Sequence, residues 1–202
     1  MSWAENAATF LKNDHVMLTP LSAPDREDIR AVAMDPDIWR YFTVTVGDDA
    51  DFEKFFDSNL AEHRAGRRAV YVIRDRKTGK VAGSMSLLSF AEKDRRLEIG
   101  ASWLGKDFRG QGVNHWAKYA LLKHAFETLE AERVEFKTDV LNLQARKGLA
   151  NIGATEEGVL RSFNYMPGGR RRDAVFYSIL RAEWPQVEKL LLEGPKPKTA
   201  SA

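Results

Sequence analysis

The sequence predicts an α/β (α+β) fold, in which helices flank a mixed, mostly antiparallel sheet of about seven strands. Two observations favour this class. Residues 69–104 hold three short apolar runs separated by polar turns, which is typical of successive antiparallel hairpins. Residues 105–112 then form a glycine-containing loop before a segment of helical periodicity, and strand-like and helix-like segments alternate after it.

The predicted strands are short runs of apolar and aromatic residues, bounded by turns such as Lys77-Thr78-Gly79-Lys80 and Pro167-Gly168-Gly169. They cover residues 15–18, 69–73, 81–90, 96–104, 134–140, 157–165 and 173–180. Because helices interrupt this series, the pattern indicates a mixed sheet.

The predicted helices share apolar residues at spacings of three and four. Ser22 can cap the first helix, and Gly66 and Gly153 follow the ends of the second and fourth. A short helical turn follows Asp35-Pro36-Asp37. The helices cover residues 22–33, 49–63, 113–129, 142–151 and 184–191.

Length and charge limit the architecture and the partners. A chain of 202 residues suits one hydrophobic core, so we assign residues 1–193 to a single domain and residues 194–202 to a flexible C-terminal tail. The 31 basic residues against 29 acidic ones give no reason to expect a nucleic-acid partner. No apolar run approaches the roughly 20 residues of a membrane helix, so we expect a cytoplasmic protein without a membrane partner.

Cysteine is absent, which excludes disulfides, thiolate metal sites and a cysteine nucleophile. The four histidines show no spacing suited to paired metal ligands. We therefore expect no metal.

The segment Arg109-Gly110-Gln111-Gly112-Val113-Asn114 has the position of an anion-binding loop, between a predicted strand and an amphipathic helix. Glycine lets the backbone approach a bulky anion, and the unpaired amides and dipole at a helix start attract negative charge. A pyrophosphate would fit there. The glycine spacing matches neither a nucleotide P-loop nor a dinucleotide-binding fold, and on these grounds alone a plain structural turn stays an equal alternative.

Several segments together resemble the GNAT acetyltransferases, in particular their RimJ/RimL-like branch of ribosomal-protein N-acetyltransferases. The signature segment is Leu97-Glu98-Ile99-Gly100-Ala101-Ser102-Trp103-Leu104, followed by the loop at 109–114. The resemblance spans about residues 15–184. It continues in Asp35-Pro36-Asp37-Ile38-Trp39-Arg40-Tyr41, Thr138-Asp139-Val140-Leu141-Asn142, Ala145-Arg146 and Ile152-Gly153-Ala154.

The resemblance implies acetyl-coenzyme A as co-substrate and assigns cofactor-binding roles. In the family, loop amides bind the pyrophosphate of coenzyme A, the preceding strand pairs with pantetheine, and an asparagine opening the later helix lies beside the cofactor arm. Here these residues are Arg109, Gly110, Gln111, Gly112, Val113 and Asn114 for the loop, Trp103 and Leu104 for the strand, and Asn142 for the helix. The chain departs from the broader pattern at Asn114, where glycine or alanine is usual, and at His115-Trp116.

Glu98 is the candidate catalytic residue. Side chains alternate along a strand, so Glu98, Gly100 and Ser102 are expected on one face. The opposite face would carry Leu97, Ile99, Ala101 and Trp103. A carboxylate on the strand that holds pantetheine could accept the proton that an amine loses before it attacks a thioester. The alternative is a surface glutamate paired with Arg95 or Arg96.

A catalytic acid is not evident, because Ala145 and Leu149 occupy the positions where the family often has a serine or tyrosine to protonate the departing thiolate. The candidate substrate-binding residues are aromatic, a composition that suits either an amine pocket or a core. They are Trp39, Tyr41, Phe163 and Tyr165. Arg170-Arg171-Arg172 predicts a solvated hairpin tip, or a contact with an acidic partner or nucleic acid.

Three hypotheses of function follow. The first is acetyl transfer from acetyl-coenzyme A to a small-molecule amine or to the N-terminal α-amine of a peptide or protein, such as a ribosomal protein. The second is a non-catalytic module that binds or senses coenzyme A. The third is an RNA- or ribosome-binding module that uses the arginine tip. Exposed strand edges would also allow a homodimer, which the sequence does not locate.

Overall fold

The computed structural model describes residues 3–195, which build one eight-stranded sheet with helices on both faces. The strand order is β1-β2-β3-β4-β5-β6-β8-β7. The strands are β1 (Leu11–Lys12), β2 (Val16–Pro20), β3 (Ala69–Asp75), β4 (Val81–Ala91), β5 (Arg96–Leu104), β6 (Arg133–Asp139), β7 (Thr155–Tyr165) and β8 (Arg171–Leu180).

The helices are α1 (Trp3–Asn6), α2 (Arg26–Ala33), α3 (Asp49–Arg64), α4 (Val113–Lys123), α5 (Leu143–Asn151) and α6 (Trp184–Leu192). A π-helical turn, His124–Thr128, extends α4. Side-chain caps begin two of the longer helices: Asp48 accepts from the amide of Asp51 at 2.8 Å and Asn142 accepts from the amide of Ala145 at 3.1 Å. Within residues 3–195, no helix is long and apolar enough to cross a membrane.

Two hydrophobic clusters cover the two faces of the sheet. On one face, α4 and α6 pack over the sheet through residues such as Leu121 and Leu191. On the other face, α2 and α3 pack through Ile29, Phe52 and Phe56. The sheet therefore lies between two layers of helices, and any ligand must enter at an edge or through a gap between strands.

Such a gap lies between β5 and β6. Within the described sheet, β5 and β6 form the parallel pair, and their pairing joins only residues 96–98 to residues 133–135. Beyond these positions β5 continues along β4 as far as Leu104, while β6 continues along β8 as far as Asp139. Because the two strands then have different partners, they separate and leave an opening in the sheet.

A β-bulge shapes β5 beside this opening. Ser86 pairs with Gly100 and Ser84 pairs with Trp103, so β5 has one extra residue at 101–102, and Ala101 adopts a positive φ of 48°. The extra residue reverses the alternation of side chains. Trp103 therefore packs in the cluster of α2 and α3, and the prediction that it shares a face with Leu97 and Ile99 is wrong.

The predicted fold class is confirmed, with one strand more than expected. The additional strand is β1, whose two residues are too few to show a period in the sequence. Of the tail predicted at 194–202, residues 196–202 lie outside the described residues. Its first two residues are described, and Pro195 lies against the loop, because a Cβ on Gly112 would come within 3.1 Å of Pro195 Cγ.

Replacing Gly83 with alanine should destabilise the fold, because a Cβ there would lie 2.1 Å from the backbone oxygen of Trp103. We expect a loss of at least about 1–3 kcal/mol in the free energy of unfolding, as overpacking typically costs, measured by urea denaturation. Gly148→Ala is the control, since nothing lies within 4 Å of a Cβ at that helical position. The control should be neutral or gain up to about 1 kcal/mol, and equal stability of the two variants would contradict the close strand contact.

Candidate active site

The separation of β5 and β6 opens a cleft of about 1230 Å³. Its walls come from both strands, the loop before α4, the first turns of α5, the helical turn Pro36–Tyr41 and the end of β7. The residues that the sequence singles out for catalysis and for cofactor binding thus meet, for the most part, in one place.

Glu98 lies inside this cleft and is 7% exposed. Its Oε2 accepts hydrogen bonds from Ser89 Oγ and Lys137 Nζ, both at 3.2 Å. Its Oε1 lies over Gly100, where a Cβ would come within 3.0 Å of it. Within residues 3–195 no hydrogen bond uses Oε1. The carboxylate is therefore held by one oxygen and presents the other to the cleft.

The alternative interpretation of Glu98 as a surface residue is wrong. Arg95 pairs with Glu130 and Arg96 pairs with Glu135, so neither contacts Glu98. The reason is the neighbouring parallel strand, which brings Lys137 to Glu98 two residues beyond the last paired position.

Ser86 is a cleft residue that the sequence analysis missed. It lies opposite Gly100 on β4 and is 1% exposed, and its Oγ has no hydrogen-bond partner among the described residues. A buried hydroxyl normally has such a partner. Ser86 thus contributes to the cleft wall a hydroxyl that no other described residue binds.

The loop before α4 has the geometry of an anion site. Gly110 and Gly112 have φ values of 77° and 83°, which favour glycine, and Gly112 is the N-cap of α4. Arg109 anchors the loop, because it donates to the backbone oxygen of Leu104 at 3.0 Å and pairs with Asp35 at 2.9 Å. Its guanidinium is thus largely committed to the protein.

Not every residue of the predicted loop faces the cleft. Arg109, Gly110 and Asn114 line it. Val113 is buried in the core, and Gln111 donates its side-chain amide to the backbone oxygen of Asp107 outside the cleft wall. Gln111, Gly112 and Val113 could therefore contribute only backbone amides, because Gly112 has no side chain and the side chains of the other two lie elsewhere.

Lys118, one turn after Asn114, is a second residue that the sequence analysis missed. Its Nζ donates to Asn114 Oδ1 at 3.1 Å, and it has no carboxylate within ion-pair distance among residues 3–195. Burial lowers the pKa of Lys118 to about 8. The signal that could have revealed Lys118 in the sequence is its place between Ala117 and Ala120, on the apolar side of α4.

The other predicted cofactor residues line the cleft as well: Trp103, Leu104 and Asn142. Ala145 and Leu149 of α5 also face it, so this helix presents no hydroxyl at the positions where the family often has one. Among the described residues, no group of three or more histidine, aspartate or glutamate side chains could hold a metal ion.

Two of the four predicted substrate residues line the cleft, namely Tyr41 and Phe163. Trp39 does not line the cleft, since it is 3% exposed and packs against Trp103 with ring centroids 5.6 Å apart. Tyr165 does not line the cleft either, and it stacks on Arg171. In a regular strand Phe163 and Tyr165 would share a face, but Phe163 lies within the irregular stretch between Leu160 and Asn164, where that alternation is interrupted.

The run Arg170-Arg171-Arg172 is not a solvated tip throughout. Arg170 pairs with the fully buried Asp139. Arg172 is buried and lines the cleft, where its Nε donates to Asn164 Oδ1 at 2.9 Å. Arg170 and Arg171 are exposed as predicted, whereas Arg172 turns inward because β8 already begins at Arg171 and side chains alternate along it.

Comparisons with known proteins agree with this geometry. A family model described as Acetyltransferase (GNAT) domain matches residues 15–155. The protein named ribosomal N-acetyltransferase YdaF of Bacillus subtilis (strain 168) is 38% identical over 106 residues, which are 52% of this chain and 57% of YdaF. The match thus spans little more than half the length of that relative.

Solved structures share the fold. A structure assigned as an acetyltransferase from T. thermophilus is 34% identical, with a TM-score of 0.82, and the match covers 91% of this chain and 95% of that one. Mycobacterium smegmatis RimJ in complex with CoA-disulfide is 23% identical, with a TM-score of 0.74 and 92% of each chain covered, and is similar in fold alone. By its family match and its structural relatives, this chain belongs to the GNAT acetyltransferase family.

Proposed function

We propose that this chain transfers the acetyl group of acetyl-coenzyme A to a primary amine. The observation that carries the proposal is the position of Glu98, whose free oxygen faces a cleft that also contains the loop at the start of α4. An acid–base group and an anion site in one cleft are what acetyl transfer from coenzyme A requires.

The residues present fit the proposed co-substrate. The backbone amides at the start of α4 and the ammonium of Lys118 offer positive charge to the phosphates of coenzyme A. The stretch of β5 from the bulge to Leu104 borders the opening on one side, and Asn142 and Ala145 border it on the other. A long, polar arm such as pantetheine would suit that space.

The chemistry assigned to this chain is proton transfer and orientation. Glu98 accepts the proton of the incoming ammonium at Oε1, and the neutral amine then attacks the thioester carbonyl. The C–S bond breaks as the C–N bond forms, and the second proton that the nitrogen loses is taken up by the departing thiolate to give the free thiol of coenzyme A. Lys137 and Ser89 hold Oε2 and fix the orientation of the carboxylate. A thiol is a fair leaving group, since its ordinary pKa is about 8.5, so the reaction does not require an acid from α5.

The acceptor that the relatives favour is a protein amine. YdaF is named for ribosomal N-acetylation, which suggests the N-terminus of a ribosomal or other protein as the acceptor here, with a small-molecule amine as the alternative. The cytoplasmic location and the homodimer remain predictions.

A non-catalytic module that binds coenzyme A is the second candidate. It is favoured by the absence of a hydroxyl at Ala145 and Leu149, and turnover separates it from the enzyme. The RNA-binding hypothesis loses its main support, because Arg170 and Arg172 have internal partners in Asp139 and Asn164.

Glu98→Gln should lower turnover by roughly 10²- to 10⁴-fold, the usual contribution of general acid–base catalysis, because it removes the basic oxygen while keeping size and hydrogen bonding. The affinity for acetyl-coenzyme A should persist. The control is Glu135→Gln, a carboxylate beside Glu98 on β6 that pairs with Arg133. Wild-type turnover of Glu98→Gln from about pH 6 to 9, with chemistry limiting the rate, would make Glu98 a structural charge.

Lys118 should make the affinity for acetyl-coenzyme A depend on pH. Only its protonated form attracts phosphate, so as pH rises above the pKa of about 8 the dissociation constant should increase, by up to about tenfold per pH unit. Burial lowers the pKa of neighbouring His115 below its ordinary value of 6.5, so His115 stays neutral in this range.

Calorimetric titrations of acetyl-coenzyme A from about pH 7 to 10 measure this slope. Lys118→Met should bind more weakly at pH 7 and lose the slope. Lys123→Met is the matched control, because that exposed lysine of α4 pairs with Glu127 and Glu188. The same slope in all three proteins would remove Lys118 from the site.

A further inference from the structure

The charges around Glu98 leave one buried cation without a carboxylate. Lys137 pairs with Glu98 at 3.2 Å, and Arg170 pairs with Asp139. Arg172 lies beside these two pairs and has no carboxylate within ion-pair distance in the described part of the chain. The group therefore carries one excess positive charge on the cleft wall.

Arg172 is held in place while most of its donors stay free. It is 7% exposed, and its Nε donates to Asn164 Oδ1 at 2.9 Å. The amide nitrogen of Asn164 donates to the backbone oxygen of Tyr165 at 2.8 Å, which fixes the direction of Oδ1. A guanidinium has five N–H donors, and no hydrogen bond among residues 3–195 uses Nη1 or Nη2 of Arg172.

Burying a cation that has no charged partner destabilises the protein unless an anion binds to it. Burial lowers the pKa of Arg172, although Asp139 and Glu98 partly oppose this shift. The cleft as a whole also has an excess of positive charge, since its walls carry seven basic side chains and three acidic ones. The basic ones are Arg40, Lys54, Arg68, Arg109, Lys118, Lys137 and Arg172, and the acidic ones are Asp37, Asp51 and Glu98.

The position of Arg172 separates its ligand from the phosphates of the co-substrate. Arg172 and Asn164 belong to β8 and β7, whereas Lys118 and the amides of the loop belong to α4 on the other side of the opening. Phe163 stands next to Asn164, and Lys137 lies 5.5 Å from its ring. Arg172 lines the same cleft as Glu98 and lies close enough for the charge of Glu98 to act on it, so an acceptor that reaches Glu98 from this side would pass Arg172.

We propose that Arg172 binds a carboxylate carried by the acceptor, so that the preferred acceptor is an amine with a nearby acidic group. The two free nitrogens of a guanidinium match the two oxygens of a carboxylate, which fixes orientation as well as charge. Either the α-carboxylate of an amino acid or an acidic side chain close to the N-terminus of a peptide would supply it. This inference rests on the proposed acetyl transfer.

The test compares matched acceptors at saturating acetyl-coenzyme A. One pair is an amino acid and its carboxamide, and the other is a peptide with aspartate or asparagine at its second position. The acidic member of at least one pair should have a kcat/KM about 10- to 100-fold higher, mainly through KM, as expected for a charge-assisted hydrogen bond. Which pair responds identifies the source of the carboxylate.

Arg172→Gln should abolish this preference while acetylation of the neutral acceptors persists, and Arg172→Lys should retain part of it. Arg171→Gln is the control, because Arg171 is exposed and stacks on Tyr165. Circular dichroism and the affinity for acetyl-coenzyme A report folding. Equal kcat/KM within both pairs for the wild-type protein, or a preference that survives Arg172→Gln, would overturn the inference.

Equilibrium binding of the same acceptors in the presence of coenzyme A keeps the two proposals distinguishable. Tighter binding of the acidic member without turnover would support the role of Arg172 and reject acetyl transfer. Turnover with no preference for the acidic member, in rate or in binding, would support acetyl transfer and reject the role of Arg172.

Discussion

The brief parallel pairing of β5 and β6 is the constraint on which the candidate site depends. Three residues of each strand pair, and each strand then follows its other neighbour in the sheet. A sheet that stayed paired would be closed by backbone hydrogen bonds and helices on both faces. The separation leaves backbone and side chains of both strands facing one cleft, and the bulge at Ala101 sets which side chains of β5 face it.

The electrostatics of the cleft follow from that separation. Glu98 lies at the last paired position, where a carboxylate is buried deeply enough to need Lys137 and yet keeps one oxygen open. Lys118 and Arg172 lie on opposite sides of it, and neither has a carboxylate partner among residues 3–195. Buried cations of this kind are stabilised by anionic ligands. The arrangement thus suits an anionic co-substrate on one side and an acidic acceptor on the other.

The order of the elements and the position of the loop could be predicted, because hydrophobic period and glycine placement report burial and backbone conformation directly. The bulge could not, since alanine at position 101 does not favour a positive φ. Regular alternation along β5 therefore predicts the wrong face for Trp103. Arg172 escaped prediction because its burial depends on the register between β7 and β8, which the sequence does not specify.

Hydrogen exchange of the chain with and without acetyl-coenzyme A, followed by mass spectrometry, tests most directly whether the gap between β5 and β6 holds the co-substrate. If the gap holds the co-substrate, exchange should be slower at amides 101–104 and 110–114 in the presence of the ligand, with little change in β2 and β3. Binding that leaves both segments unchanged, or that slows exchange only elsewhere, would contradict it.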